Sequence, residues 1–373
     1  MKKIKILIVC GGVLDRGGIS SYLMNYYRNI DKSELIFDFI VQGYSECLFI
    51  NEINNGGGKL FQIPNKSRNL YQHLRKLYSI MKNGNYDIVH AHADAGNGLI
   101  LKIAKIANIR VRISHSHSTN FYTKSKIKII LNKLQKKMII HNATDLWGCS
   151  QAACKWLYGK KNSTIIRNAI ETNRFDYSYD KYEQIKQSLC IENKKTICQV
   201  GHFSHIKNQM FTIKIIEKLE TENINFKFYF IGEGDMEELN KVKEYVLNNK
   251  IRNVIFLGSR DDVPTLFQGM DLLVMPSLFE GFPVTLVEAQ ASGLKCIVSN
   301  SITKEVKIVD ELIEFLPITD ESISLWVKTI VNSFDYERIS RIEKVKEMNY
   351  DIKIEAQKLK EKYISVISGV CNE

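Results

Sequence analysis

The sequence predicts an α/β chain of two doubly wound, Rossmann-like domains. Three observations predict it. Short apolar runs alternate with amphipathic stretches through the first half, and the alternation restarts in the second. A polar, aperiodic stretch, Ile165–Asp180 (IIRNAIETNRFDYSYD), separates the halves and reads as a hinge. The 373 residues are long for one core and comfortable for two.

The elements follow in order. Lys3–Cys10 reads as a strand, because its continuous apolar run Ile6–Cys10 suits a strand buried on both faces. A Gly-rich loop, Gly11–Gly18, leads to a helix over Ile19–Asn29. Leu35–Val41 and Lys59–Ile63 are strands, and Leu70–Lys82 has helical periodicity. Tyr86–His92 (YDIVHAH) is a strand and Gly98–Ala107 a helix. Arg110–Ser114 is a strand, and a helix runs from about Lys124 to His141. Asp145–Cys149 is a strand and Ala152–Tyr158 a short helix.

The second half starts with the strand Thr196–Val200 and the helix Gln209–Leu219. Phe226–Ile231, Val254–Leu257, Asp271–Met275 and Cys296–Ser299 are further strands. Met236–Leu247, Val263–Phe267 and Pro283–Ser292 are the helices between them. Tyr350–Val366 closes the chain as one amphipathic helix. Ligands of open α/β sheets bind beyond the carboxyl ends of the strands. That selects six loops: Gly11–Gly18, His90–Gly98, Ser114–Asn120, Gly201–Asn208, Gly232–Asp235 and Met275–Pro283.

Composition narrows the class. Apolar content of 45% and charged content of 25% are those of a folded globular chain. The first apolar run is too short for a secretory signal, and no stretch reaches the roughly 18 apolar residues of a membrane span. The eight cysteines, at 10, 47, 149, 154, 190, 198, 296 and 371, include no CxxC pair. They read as buried free thiols of a reducing cytoplasm. Residues 1–170 hold 26 Lys and Arg against 9 Asp and Glu, a balance of +17. Residues 171–373 hold 26 against 32, a balance of −6. The first half therefore faces something anionic. No nucleic-acid recognition motif accompanies the charge and few aromatics lie on the basic stretch, so no nucleic-acid partner is expected.

Met275–Gly293 (MPSLFEGFPVTLVEAQASG) carries the densest chemistry. A strand ends, a loop holds Glu280, and a helix follows that includes Glu288. Its N-terminal N–H groups and dipole suit an anion such as a diphosphate. Pro283 suits the first helical turn. Carboxylates accept hydrogen bonds from the vicinal hydroxyls of sugars and ribose. Two glutamates alone read more readily as a capped helix with a solvated side chain than as a ligand site.

The full string, with Glu280 and Glu288 separated by seven residues, resembles the donor-site signature of family 4 of the retaining glycosyltransferases, which have the GT-B fold. GGVLDRGGIS, YDIVHAH, RISHSHST, ATDLWGCSQAACKWLYG, IIRNAIETNRF, VGHFSHIKNQMF, FIGEGDMEELN, VIFLGSRDDVPTLFQGMDLLVMPS and the final YDI helix match in the same order. The resemblance covers nearly the whole chain and is nearest to the capsule and exopolysaccharide subgroup. It implies a GT-B pair of domains facing a central cleft. Residues 1–170 would be the acceptor-side domain and 171–349 the nucleotide-sugar domain. Residues 350–373 would form a helix crossing back to the first domain.

The resemblance also implies roles. Glu280 would contact the donor sugar hydroxyls, with N–H groups from Gly281 and Phe282. Glu288 would bind the ribose hydroxyls, while Val284 and Thr285, behind Pro283, would face the diphosphate. Lys207 would neutralise the phosphates. Gly17 and Gly18 would meet the donor phosphate and the acceptor. A histidine after Val111 would touch the donor sugar; spacing leaves His115 and His117 both open, and His117 is favoured. His92 reads as structural. Gly232, Glu233, Gly234 and Asp235 would wall the nucleotide, and Arg260, Asp261 and Asp262 would lie near the base. The chain departs from the family at His202, where an arginine is usual. An arginine brings a permanent charge and a fork for phosphate oxygens. With His202, Lys207 becomes the main phosphate cation, and stronger pH dependence of donor binding is expected.

No Asp-X-Asp string is present to chelate Mg²⁺ or Mn²⁺, so neither metal nor cofactor is expected. The resemblance implies transfer of a hexose or N-acetylhexosamine, with retention, from a nucleotide-diphosphate sugar, UDP being the family-level expectation. Front-face attack by the acceptor hydroxyl, with stabilisation of the departing diphosphate, is the implied mechanism. The acceptor would be a saccharide, lipid-diphosphate-linked. The alternative is a UDP-sugar 2-epimerase-like isomerase of the same architecture. A dehydrogenase would require GxGxxG, which GGVLDRGG lacks. Finally, Lys124, Lys126, Lys128, Lys133, Lys136 and Lys137 alternate with Ile127, Ile130, Leu131, Leu134 and Met138. Such a helix either turns its apolar set to the core or lies on an anionic membrane. The charge imbalance favours peripheral contact at the inner face of the cell membrane.

Overall fold

The computed structural model describes residues 3–44, 47–121, 123 and 125–371, the last two without their side chains. Lys124 of the basic run lies outside the described residues, as does the side chain of Cys371. The chain divides into two compact units, Met1–Asn168 with Ile352–Glu373, and Ala169–Asp351.

The first unit holds seven strands: β1 (Ile4–Cys10), β2 (Leu35–Gln42), β3 (Leu60–Ile63), β4 (Ile88–His92), β5 (Val111–Ser116), β6 (Asp145–Gly148) and β7 (Thr164–Ile165). Their order is β3-β2-β1-β4-β5-β6-β7, and all pairs are parallel. Parallel strands need crossovers, which the intervening helices supply. The sheet is buried because its strands are apolar on both faces: Leu7, Val9, Val89 and Ala91 sit in one core cluster with Leu77, Leu101 and Leu157 from the helices. The last helix, Ile352–Cys371, belongs to this unit. Its Tyr363 is buried against Phe37 and Trp147, and Lys360 pairs with Asp31 and Glu34.

The second unit holds β8 (Lys195–Val200), β9 (Phe226–Ile231), β10 (Val254–Phe256), β11 (Leu272–Met275), β12 (Lys295–Ser299) and β13 (Ile313–Leu316). The order β10-β9-β8-β11-β12-β13 is again wholly parallel. Ile197, Phe228, Phe230, Leu272 and Val274 pack with Ile213, Ile216 and Trp326.

Several expectations are corrected between β7 and the end of the second unit. Residues 165–180 are not wholly irregular: Ile165 ends β7, Thr172–Phe175 is a 3₁₀ turn, and a helix starts at Tyr179 under a Ser178 cap. The strand Ile313–Leu316 and the helices Ile323–Asn332 and Ile342–Glu347 lay outside the sequence reading. Ile313–Leu316 and Ile342–Glu347 are short, whereas Ile323–Asn332 is an amphipathic helix whose period the sequence did carry.

Both sheets reverse their order at one point, between β1 and β4 and between β8 and β11. Neighbouring strands send their connections to opposite faces there, which opens a crevice beyond their carboxyl ends.

Candidate active site

In the second unit the reversal point lies beneath two loops, one after β8 and one after β11. Backbone and amide groups tie them together. Leu278 N–H donates to Ile206 C=O at 2.8 Å, and Asn208 Nδ2 to Pro276 C=O at 3.2 Å. Below them Gln199 Nε2 donates to Lys207 C=O at 2.8 Å, and Thr212 Oγ1 in turn donates to Gln199 Oε1 at 2.7 Å. Asn208 enters the helix Gln209–Thr221 with φ 56°, a left-handed conformation that asparagine tolerates.

This frame aims Lys207 at Glu280. The Nζ–Oε1 distance is 2.6 Å, and the side chains are 21% and 14% exposed. Gly201, with φ +145°, makes the approach possible: a Cβ there would stand 3.3 Å from Lys207 Cε. Gly232, with φ +141°, allows a closer approach, since its Cβ would lie 2.3 Å from Gly201 C=O. Phe203 N–H donates to Glu233 C=O and Asp235 N–H to Phe203 C=O, both at 2.9 Å, which seals the loops after β8 and β9. A half-buried ion pair nets little stability, because desolvation offsets most of the attraction. The pair is better read as two polar groups held ready at a crevice.

The helix Val284–Ala291 starts one residue later than expected, with Pro283 at its N-cap position. No side chain caps its first turn, and that turn holds no acidic residue. Its N-terminal dipole is therefore left to attract an anion. Glu288 lies one turn inside the helix and keeps partial exposure. Burial pushes its carboxyl up to about 7, against the opposing pull of Arg174. The Phe282 ring is buried and stacks on Tyr350 at 5.5 Å, so only its backbone remains to serve a ligand.

His202 is exposed, and its carbonyl accepts from Gln209 Nε2 at 2.9 Å. Glu233 and Asp235 are exposed; Asp235 caps the helix Met236–Asn248 by accepting from Glu237 N–H. Arg260 forms a two-pronged bond with Asp262 at 2.8 and 2.6 Å, and Asp261 beside them is exposed. Lys207, Glu280, Gly201 and Gly232 are thus brought together, with the Val284 helix start directly after the Glu280 loop. Arg260–Asp262 form a separate surface pair.

The first unit sets different groups at its reversal point. Gly17 is the N-cap of the helix Gly18–Asn29, and its N–H donates to Asp15 Oδ1 at 2.7 Å. Neither Gly17 nor Gly18 has a positive φ, and nothing lies within 4 Å of a Cβ placed on Gly18. The turn itself does not require a glycine at Gly18.

His90 and His92 on β4, and His115 and His117 at the end of β5, share one sheet face and are all buried. They form two hydrogen-bonded couples: His90 Nε2 with His115 Nδ1 at 3.1 Å, and His92 Nδ1 with His117 Nε2 at 2.8 Å. Tyr363 reaches His90 Nδ1 at 2.7 Å. Asp94 Oδ1 accepts from the N–H groups of His117 and Ser118, at 2.7 and 3.2 Å. Burial lowers all four imidazoles below the usual histidine range, His117 to about 3, and raises Asp94 to about 6. His115 is wholly enclosed, whereas His117 retains 8% exposure. His90, Asp94 and Tyr363 went unnoticed in the sequence. The spacing of two in both HAH and HSH was the available signal, because strand period two puts such pairs on one face.

The helix Lys126–Asn142 rests on Asn97–Ile106 through Gly98, whose Cβ would fall 2.1 Å from Gln135 C=O. Ile127, Ile130, Leu131 and Leu134 are nevertheless exposed, at 52–73%, beside exposed Lys126, Lys128, Lys133 and Lys137. Of the two readings of this helix, the core-facing one is excluded for that half. Lys136 instead turns inward, donating to Trp156 C=O under its ring. No helix among the described residues is long and apolar enough to cross a membrane. The seven described cysteines are free, and six are buried.

Comparison with known proteins adds an independent line. Residues 16–174 match the model "Glycosyltransferase Family 4" and residues 180–323 the model "Glycosyl transferases group 1". EpsF of Bacillus subtilis (strain 168), named as a glycosyltransferase, is 34% identical over 339 residues, covering 88% of this chain and 87% of that one. A UDP-Gal:alpha-D-GlcNAc-diphosphoundecaprenol alpha-1,3-galactosyltransferase of Escherichia coli is 26% identical, covering 79% and 84%. Among solved structures, Anabaena Alr3699/HepE in complex with UDP-glucose superposes with a TM-score of 0.77 at 16% identity, covering 97% and 100%. The two parallel sheets and this likeness identify the GT-B fold. The chain belongs to family 4 of the glycosyltransferases, in its capsule and exopolysaccharide branch.

Proposed function

We propose that this glycosyltransferase moves a hexose or N-acetylhexosamine from a UDP-sugar to a lipid-diphosphate-linked saccharide, with retention at the anomeric carbon and without a metal on the diphosphate. The observation that carries the reading is the Lys207–Glu280 pair, 2.6 Å apart at the reversal point of the second sheet. A diphosphate arriving at the start of Val284–Ala291 competes for Lys207. Glu280, relieved of its partner, accepts from sugar hydroxyls, and Glu288 accepts from the ribose. Lys207 and the helix dipole then stabilise the charge that grows on the leaving diphosphate, the role a divalent cation fills elsewhere. The acceptor hydroxyl attacks from the face of the departing diphosphate, whose oxygen takes the proton. His117 is assigned to the donor sugar, and Gly17 and Gly18 to close backbone approach.

The names of the relatives support a UDP-sugar donor and an undecaprenyl-type acceptor. The exposed basic and apolar helix supports peripheral attachment to an anionic membrane surface, the face on which such an acceptor lies. A panel of nucleotide sugars, read by thermal shift and by hydrolysis, tests the donor site. A response to UDP-sugars that vanishes in Glu280→Ala is expected; an unchanged response overturns the assignment. Turnover persisting in chelator supports metal independence. NMR of the product reads retention. Interconversion of the donor without any acceptor identifies a 2-epimerase instead.

A further inference from the structure

We infer that His92 is a positioning residue for His117. Its Nδ1–H donates to His117 Nε2, which holds His117 as the tautomer with its proton on Nδ1 and offers that N–H to the donor sugar. The inference rests on the assignment of His117 to that sugar, and it names the direction in which the two would bond.

The backbone of His117 is already fixed. Asp94, itself left-handed with φ 48°, accepts from the N–H groups of His117 and Ser118 through one carboxylate oxygen. The ring is held as well, edge-on to Tyr22 at 5.2 Å and stacked parallel to His115 at 4.3 Å. What these contacts leave open is which ring nitrogen carries the proton. His92 Nδ1 and His117 Nε2 stand 2.8 Å apart, and both rings are buried. Two neutral imidazoles place a single proton in such a bond, so the choice of donor dictates what the outer nitrogen of each ring carries.

The surroundings make that choice. Among the described residues, His92 Nε2 is sealed from water without a hydrogen-bond partner. So is the hydroxyl of Tyr22, whose ring lies 6.0 Å from that of His92. If His117 donated, His92 would carry its proton on Nε2, an N–H sealed without an acceptor beside a hydroxyl in the same state. If His92 donates, its Nε2 is a bare lone pair. Orphaned buried N–H groups are rarer in folded proteins than acceptors left short. His117 Nδ1 is different from both sealed atoms. It has no hydrogen-bond partner among the described residues, yet it is not sealed, and His117 keeps 8% exposure. The proton placed on Nδ1 is therefore on the reachable edge of the ring. An N–H there selects an oxygen lone pair of the sugar, whereas a bare nitrogen would require a hydroxyl that donates.

The experiment uses the full chain labelled with ¹⁵N at histidine. Long-range ¹H–¹⁵N correlation tells a protonated ring nitrogen from a bare one, and no donor is needed. Loss of signals in His117→Ala and His92→Asn identifies the two rings. Protonated Nδ1 and bare Nε2 are expected in both. A bare His117 Nδ1, or a protonated His92 Nε2, in the parent chain overturns the proposal, whatever the variants do. Hydrolysis of a UDP-sugar is the second readout. His92→Leu removes the partner and should lower turnover by roughly 10- to 100-fold, the scale of a small misplacement at a reacting centre. His92→Asn sets an amide about where Nδ1 stands and should recover most of the loss. Recovery no better than with leucine, or no loss with leucine, shows that His92 only fills space and overturns the proposal. Unchanged turnover in His117→Ala is a separate failure: it removes His117 from the donor sugar while the spectrum still reads the tautomer.

Discussion

The two sheets repeat one strand order and furnish its reversal point in opposite ways. Between β8 and β11 stand a lysine and a glutamate with water still in reach, framed by glycines that bring backbone against backbone. Between β1 and β4 the open part is a glycine-capped helix start, and the side chains behind it are neutral imidazoles sealed from water. The contrast separates two uses of polarity in one fold. Charge kept near water is available to a charged ligand, since its desolvation is completed only on binding. Polarity kept dry cannot exchange partners easily and fixes geometry instead.

This contrast can be broken experimentally, and the largest expected effect is at Glu280. Glu280→Ala should lower turnover by about 10²–10³-fold, the range for losing one preorganised polar group, while leaving Tm of the free protein nearly unchanged. A large fall in Tm would mean that the pair holds the fold. The converse substitution is His90→Leu. It strips Tyr363 and His115 of their partner and should cost roughly 2–4 kcal/mol by chemical denaturation. Donor-induced thermal shift in that variant should persist, because His117 keeps its bond to His92; its loss would show that His90 is needed to hold His117 for the donor.

A third test concerns charge. Lys133→Gln combined with Lys137→Gln should weaken sedimentation with anionic liposomes by about 30-fold at low salt, at about 1 kcal/mol per lysine. Equal retention with neutral lipid would remove the electrostatic part of the reading. The smallest effect is at Glu288. Its folded-state pKa is raised, to about 7, so the folded state holds the proton longer than the unfolded one. Its contribution to stability is therefore most favourable at acid pH and declines as pH rises towards 7. The carboxylate that accepts ribose hydroxyls forms over the same interval. Donor affinity should then rise about five- to tenfold from pH 6 to pH 8, and Glu288→Gln should flatten the rise. A fall over that interval would overturn the assignment of Glu288 to the ribose.

Much of this was legible in advance. The runs Ile6–Cys10, Phe226–Ile231 and Leu272–Met275 are apolar without alternation, which only a strand covered on both faces tolerates. Glu280 and Lys207 were singled out by the family resemblance, within loops that the strand-end rule also selects. Arg174, Gln199 and Tyr350 were not found. Arg174 lies in the stretch taken as a hinge, Gln199 inside a strand, and Tyr350 at the start of what read as the final helix. Each serves the site through another residue: Arg174 through Glu288 and Tyr350 through Phe282, both far along the chain, and Gln199 through Lys207, eight positions on. The basic helix shows the same limit. Its periodicity described an apolar stripe correctly, but periodicity is silent on what the stripe faces.

The sequence by itself determined the two α/β halves, the family and the strand-end loops, because hydrophobic period and turn chemistry are properties of neighbours along the chain. Only the tertiary structure decided that Lys207 reaches Glu280, that four histidines form two couples beneath Tyr22 and Tyr363, and that Ile127, Ile130, Leu131 and Leu134 look outward. Those facts depend on which strands lie side by side and on how closely backbones approach at Gly98, Gly201 and Gly232. Packing sets such contacts between residues far apart in sequence, where no local pattern records them.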